Sequence, residues 1–233
     1  MTKLAIIPAR GGSKRIPKKN IKKFFGKPII AYSIEAAIKS NLFDEVMVST
    51  DDSEIAEIAK KYGAKVPFLR SNKNADDHAT TIEVIDEVLD NYKNIFDKTF
   101  EIACCIYPTA PFIQIQHLKE GLSKLIENNF SSVFPIVAFS YPVFRGVEIG
   151  QDGRVRMVWP EYQNSRSQDL KIIYHDAGQW YWFNALKINK VLFTDNTGSI
   201  ILPEMEVQDI DTLADWKLAE HKYKMLENEK NNI

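Results

Sequence analysis

Residues 4 to 139 alternate between short apolar runs and longer segments whose apolar residues recur every three or four positions. An apolar run buried on both faces is what a parallel sheet needs. An amphipathic segment between two such runs supplies the crossover that returns the chain to start a parallel neighbour. Strands are expected at 4–9 (LAIIPA), 44–50 (DEVMVST), 64–70 (AKVPFLR), 101–108 (EIACCIYP) and 131–139 (SSVFPIVAF). Helices are expected over 28–40, opened by Pro28, and over 53–62, ended by Gly63. Two more are expected over 80–92, where Ile82, Ile85, Val88 and Leu89 share a face, and over 115–127. The pattern implies an α/β fold, a mostly parallel sheet covered by helices on both sides.

After Tyr141 the pattern breaks. VEIGQDGRVRMVW (147–159) reads as two strands turning at Asp152-Gly153. Residues 159–176 are irregular and polar, suited to line a site. Strands resume at 178–183 and 198–203, and a helix is expected over 212–227. The chain is therefore expected to form a single domain over 1–233, with 141–176 as an inserted hairpin and loop.

Composition narrows the function classes. With 30 basic and 31 acidic residues the net charge is −1, which argues against a general nucleic-acid binder. No apolar run approaches the ~18 residues of a membrane span, and MTKLAIIPARGG is too short for a secretory signal. The expected compartment is the cytoplasm. Cys104 and Cys105 are neighbours in an expected strand, so they should point to opposite faces as buried thiols, unpaired with each other.

Against that balance, Arg10, Lys14, Arg15, Lys18, Lys19, Lys22 and Lys23 lie close together with no acid among them. They follow the first strand, and ligands of open α/β sheets bind at the carboxyl ends of strands. Gly11 and Gly12 allow a turn that exposes backbone amides to a close ligand. Arg10 can grip phosphate oxygens with two donors, and Lys14 and Lys19 add point charges. A triphosphate is the economical counterion for such a loop. Lys18, Lys22 and Lys23 read as a solvated face. Neither G-x-x-x-x-G-K-[ST] nor G-x-G-x-x-G is present, which disfavours the common phosphate loops and a nicotinamide-type oxidoreductase.

Asp209 and Asp211 stand two apart, so in extended chain both carboxylates leave one face. Two hard oxygen donors beside a triphosphate make an Mg²⁺ arrangement. Asp211 also precedes the closing helix and is equally placed to cap it. Asp51 and Asp52 are expected to initiate the 53–62 helix.

The stretch ARGGSKRIPKKN resembles the fingerprint of the nonulosonate cytidylyltransferases, matching it at Ala9, Arg10, Ser13, Lys14, Pro17, Lys19 and Asn20. VSTDDSEIAEIAKKYGAKVPFLR resembles the family's approach to a nucleotide-holding arginine, here Arg70, and DHATT, YPTAPF and VQDIDT extend the likeness. It runs from Leu4 to about Trp216. The resemblance implies a three-layer, Rossmann-like nucleotidyltransferase fold whose β-hairpin insertion serves a homodimer. It implies transfer of CMP from CTP to a nine-carbon 2-keto sugar acid with release of pyrophosphate, and no nucleic-acid or membrane partner. Nucleotide contacts are then expected from Ala9, Arg10, Gly11, Gly12, Ser13, Lys14, Asn20, Arg70, the Ala79 backbone and the Thr81 hydroxyl. Catalytic roles fall to Arg10, Lys14, Lys19 and Asp211, and Mg²⁺ to Asp209 and Asp211.

For the sugar acid, Arg145 and Arg166 flank the irregular loop and offer guanidinium partners for a carboxylate. His175 and Gln179 follow, and alternation sends Gln179 and Tyr181 to one face, Trp180 and Trp182 to the other. Tyr107 stands where sialic acid enzymes of the family read glutamine in Q-P-T-S-P. IYPTAPF, RSQDL and YHDAGQ resemble the pseudaminic acid branch instead, with N-acylneuraminate as the other acceptor. A non-catalytic nucleotide-binding module would share the same binding residues.

Overall fold

A computed structural model describes residues 1–187 and 191–231, so the end of the expected 1–233 unit at 232–233 lies outside the described residues. The chain opens with β1 (Lys3–Pro8), a tight hairpin of β2 (Lys23–Phe24) and β3 (Lys27–Pro28), then α1 (Ile30–Ser40), β4 (Glu45–Ser49) and α2 (Ser53–Lys61). It continues through α3 (Thr81–Phe96), β5 (Ile102–Ile106), α4 (Ile115–Glu127) and β6 (Ser132–Ala138). The inserted hairpin is β7 (Val147–Ile149) and β8 (Val155–Met157). The last elements are β9 (Tyr174–Asp176), β10 (Trp180–Asn184), β11 (Thr197–Ile201) and α5 (Leu213–Asn231).

The main sheet runs β11-β6-β10-β5-β1-β4, with β9 also paired to β6. β1 is parallel to both β4 and β5, and β11 is parallel to β6. β10 alone runs antiparallel between β5 and β6, and β9 adds an antiparallel partner for β6. From β1 the chain first crosses to β4 on one side and later to β5 on the other. That reversal leaves a crevice above the carboxyl ends of β1 and β5, the place such sheets bind ligands.

Two apolar layers cover the sheet. α1, α2 and α4 pack on one face, where Ile34, Ile55 and Leu118 meet Ile7, Val48, Cys104, Trp180 and Trp182. α3 packs on the other, bringing Ile85 and Val88 to Leu4, Ile6, Cys105, Tyr181 and Phe183. Cys104 and Cys105 thus fall in different layers, both buried and free, as strand alternation requires. Gly121 lets α4 approach β10 closely, since a Cβ there would sit 2.5 Å from the Trp180 ring.

Local signals explain the helix ends. Asp52 caps α2 by accepting from the Glu54 and Ile55 amides, and Thr80 with Glu83 forms a capping box on α3. Two expectations are corrected. Residues 64–70 form no strand, because only Lys65 bridges to Met47 and Pro67 has no N–H to extend a ladder. Pro28 lies in β3 and α1 begins at Ile30, since Phe25 (φ 44°) and Gly26 (φ 87°) turn the chain back first.

Candidate active site

Ala9 donates its amide to Ser49 at 2.9 Å, so the basic loop leaves the sheet level with the end of β4. Asn20 is buried and closes the loop by donating to the Arg10 carbonyl at 2.9 Å. The Gly11 amide donates to Asp51 at 2.9 Å, and a Cβ on Gly11 would lie 2.8 Å from the Asp52 carboxylate. Only glycine lets the loop lie this close to α2.

Beneath the loop is a cleft of about 250 Å³. From the expected nucleotide set it is lined by Arg10, Ser13, Lys14, Asn20, Arg70, Ala79 and Thr81. Lys19, Tyr107 and Asp211 complete the expected residues on its walls. Ala9, Gly11 and Gly12 do not line it: Ala9 is core, and the Gly11 amide faces Asp51. Arg70 is buried and anchored on Ser49, with Nε 3.0 Å from the hydroxyl and Nη2 2.6 Å from the carbonyl. Its burial lowers its affinity for the proton, partly offset by Asp51.

Acids from distant parts of the chain neutralise the loop. Arg10 Nη1 lies 2.7 Å from Asp77 Oδ1 and donates at 2.7 Å to the Asp76 carbonyl. Lys14 pairs with the other Asp77 oxygen. The Lys14 and Arg10 hydrogen bonds hold the Asp77 carboxyl below its ordinary range. Arg15 meets Asp211 at 2.9 Å, while Lys19 donates to the Ile210 carbonyl at 2.7 Å and stands 3.5 Å from Asp211. Sequence reasoning left Arg15 out of the site, although it belongs to the same cationic run.

Among the described residues, no group of three or more His, Cys, Asp or Glu is arranged to hold a metal. Asp209 and Asp211 supply a pair. Asp209 does not line the cleft, and desolvation, then the charge of Asp211, pushes its carboxyl above the ordinary range. A divalent cation held by both carboxylates would offset the part of that rise due to the Asp211 charge. The pair fits a hard cation whose other oxygen ligands come from a bound polyphosphate. The helix-capping role falls to Thr212, whose hydroxyl accepts the Asp215 amide at 3.2 Å, while the Asp215 carboxylate reaches back to accept from the Thr212 and Asp211 amides.

A second cavity of about 780 Å³ adjoins the first and shares Thr81 and Tyr107 with it. Its walls include Phe134, His175, Asp176, Tyr181 and Phe193. The structure does not bring Gln179 there. Gly178, at φ 63°, interrupts the extended chain just before it, and the buried Gln179 amide donates to the Glu206 carbonyl at 2.6 Å. Arg145 and Arg166 line neither cavity; Arg145 donates to the Ser165 carbonyl at 3.0 Å, and Arg166 pairs with Asp169 at 2.7 Å. Their positions in the sequence say nothing of where the insertion turns them.

The family model described as "Cytidylyltransferase" matches residues 4–196. The chain belongs to the cytidylyltransferase family. This cytidylyltransferase is 43% identical over 230 residues to the pseudaminic acid cytidylyltransferase of Campylobacter jejuni, covering 97% of each chain. It is 37% identical to the CMP-N,N'-diacetyllegionaminic acid synthase of Legionella pneumophila over 93% of this chain and 94% of that one. Among solved structures it is similar to CMP:2-keto-3-deoxy-manno-octonic acid synthetase complexed with CTP, with a TM-score of 0.67 at 18% identity over 98% of this chain and 100% of the other. At that identity the likeness speaks for the cytidylyltransferase's fold.

Proposed function

We propose that this cytidylyltransferase transfers CMP from CTP to the anomeric hydroxyl of a nonulosonic acid, pseudaminic acid, and releases pyrophosphate. The observation that carries the reading is the meeting of two unlike cavities at Thr81 and Tyr107, one walled by cations and one by aromatic and polar groups. A triphosphate suits the first and a sugar acid the second. Similarity to relatives named for pseudaminic acid supports the choice of sugar.

In this mechanism Arg10, Lys14 and Lys19 hold the phosphate oxygens and offset the charge that grows on the leaving pyrophosphate. Arg70, rigid on Ser49, and Thr81 orient the nucleoside. Asp209 and Asp211 would hold Mg²⁺, which supplies a divalent charge beside the phosphates. The acceptor hydroxyl approaches the α-phosphorus from the second cavity, so most of the rate comes from positioning.

We also infer a homodimer, with 141–176 as an insertion in a single domain. Val147, Ile149 and Val155 are 58%, 76% and 64% exposed, an apolar surface that a second copy would cover. Arg145 and Arg166 then belong to the partner's sugar site. The expected compartment is the cytoplasm; no helix among the described residues is long and apolar enough to cross a membrane.

Pyrophosphate release on mixing the protein with CTP, Mg²⁺ and a panel of nonulosonic acids tests the reading. Efficient turnover of pseudaminic acid, weak turnover of N-acetylneuraminic acid and a partial shift on Tyr107→Gln are expected. Asp211→Asn should lower turnover by orders of magnitude with the fold intact. Release with no acceptor at all would overturn the proposal, and preference for N-acetylneuraminic acid would overturn the choice of sugar.

A further inference from the structure

Between β11 and α5 the chain passes through Asp209 and Asp211 without entering the sheet. Side chains from elsewhere fix its course. Lys222 of α5 donates to the Glu204 and Val207 carbonyls at 3.1 and 2.8 Å. His117 of α4 brings Nε2 to 2.9 Å from the Glu206 carboxylate. Gln179, only 3% exposed, donates from its side-chain amide to the Glu206 carbonyl at 2.6 Å. Glu206, shortly before Asp209, is thus held by both its side chain and its main chain.

Gln179 differs from the other contacts in where it comes from. It sits just before β10, and its main-chain carbonyl accepts the Tyr107 amide at 2.8 Å, next to the Trp180–Ile106 pair of the β5–β10 ladder. One residue therefore grips Tyr107, on the wall shared by the two cavities, with its backbone and the acidic segment with its side chain. Lys19 and Arg15 tie that segment to the basic loop, on the phosphate side; Gln179 ties it to the acceptor side. A buried carbonyl left without its donor is penalised, so the contact fixes this separation. Transfer between two bound substrates depends on it, because the attacking oxygen must stand ~3–3.5 Å from phosphorus and in line.

We propose that Gln179 is a positioning residue for the transfer: through the Glu206 carbonyl it sets Asp209 and Asp211 at a fixed distance from the Tyr107 wall, so that the phosphate end and the acceptor end of the site stay in register. The inference rests on the proposed reading in taking the acidic pair to serve the bound nucleotide. Nothing in it depends on which sugar is used.

Gln179→Met removes the donor at nearly the same size and keeps the main-chain bond to Tyr107. Calorimetry with CTP, with and without Mg²⁺, reads the placement of the acidic pair without any acceptor sugar. The unmodified protein should bind CTP more tightly with Mg²⁺, and Asp211→Asn should abolish that gain. Gln179→Met should lose most of the gain while its metal-free affinity for CTP is unchanged. With pseudaminic acid as acceptor, its kcat should fall roughly tenfold to a hundredfold, the cost of a 1 Å misplacement, with KM for the sugar unchanged. Equal weakening of CTP with and without Mg²⁺, as general loosening would give, overturns the proposal, and so does a raised KM with kcat unchanged. Gln179→Asn, a methylene too short to reach the carbonyl, should behave in the same way and decides if Gln179→Met does not fold. A gain lost in Asp211→Asn but kept in Gln179→Met overturns the role of Gln179 alone. A gain absent from the unmodified protein, or surviving Asp211→Asn, overturns the acidic pair as metal ligands and this inference with it. If the gain moves as expected but no nonulosonic acid is ever cytidylylated, the reaction proposed above fails and the role of Gln179 in placing the pair stands.

Discussion

Asp77 touches two cations at once, and it offsets part of the charge of the basic loop. Seven positive side chains between Arg10 and Lys23 would repel one another, yet most have a partner from elsewhere in the chain. Arg10 and Lys14 share Asp77, Arg15 and Lys19 approach Asp211, Lys18 pairs with Glu54, and Lys22 lies 5.0 Å over the Trp216 ring. A triphosphate entering the cleft must displace Asp77 from Arg10 and Lys14. Both pairs are partly solvated, so the displacement is cheap. Asp77→Asn should therefore tighten CTP binding only modestly, roughly twofold to fivefold. Arg10→Ala should weaken it roughly tenfold or more by removing a two-donor grip, and Lys22→Ala should change little. Titration calorimetry with CTP checks all three; weaker binding by Asp77→Asn would mean that the carboxylate helps hold the nucleotide. None of these acids was legible as a partner, because each lies tens of residues from the cation it meets. The cations themselves were plain in the sequence.

At the scale of the element, helix positions were read well and edges poorly. The 115–127 helix is found where its apolar spacing placed it, as α4 over Ile115–Glu127. The 64–70 segment shows why strand signals mislead at an edge: its composition suits a strand, but among the described residues its pairing is limited to one bridge, from Lys65 to Met47 of β4. The start of β4 carries a buried carboxylate, Glu45, that ties this edge to α3. It accepts from Lys98 at 2.6 Å, from Lys65 at 3.1 Å and from the Tyr92 hydroxyl. Desolvation alone would push Glu45 up, but these hydrogen bonds, with Lys98 first among them, outweigh it and hold the carboxyl below its ordinary value of 4.5. A carboxyl lowered by folding stabilises the native state above its ordinary value, and that contribution fades as pH falls through the lowered one. Thermal melts should therefore lose stability as the pH drops below 4.5, and Glu45→Gln should flatten that decline. At neutral pH the same substitution should cost about 1–3 kcal/mol, because it weakens a buried network that includes the Tyr92 hydroxyl. An unchanged acid profile in Glu45→Gln would remove Glu45 from the account.

For the whole molecule, the proposed homodimer rests on the exposed hairpin of β7 and β8. β7 is exposed along its length, and Val155 of β8 faces solvent, so the chain alone leaves this apolar surface uncovered. Light scattering at micromolar concentration should give a dimer, and charge introduced as Ile149→Asp with Val155→Asp should yield monomers with a lowered affinity for the sugar acid. A wild-type monomer would count against the shared site. By itself the sequence determined the α/β class, the cationic loop after the first strand, the Asp209–Asp211 pair and the separation of the two cysteines. Each of these depends on contacts within a few residues, or on a periodicity that repeats along one element. Only the tertiary structure decided that Arg15 faces the cleft, that Gln179 turns instead to the Glu206 carbonyl, and that Tyr181 donates to Asp176. Those facts join the basic loop after β1 to β9, β10 and the segment after β11, which lie far apart in the chain. Side-chain direction at such a junction is set by strand order and by one left-handed glycine, which no local pattern encodes.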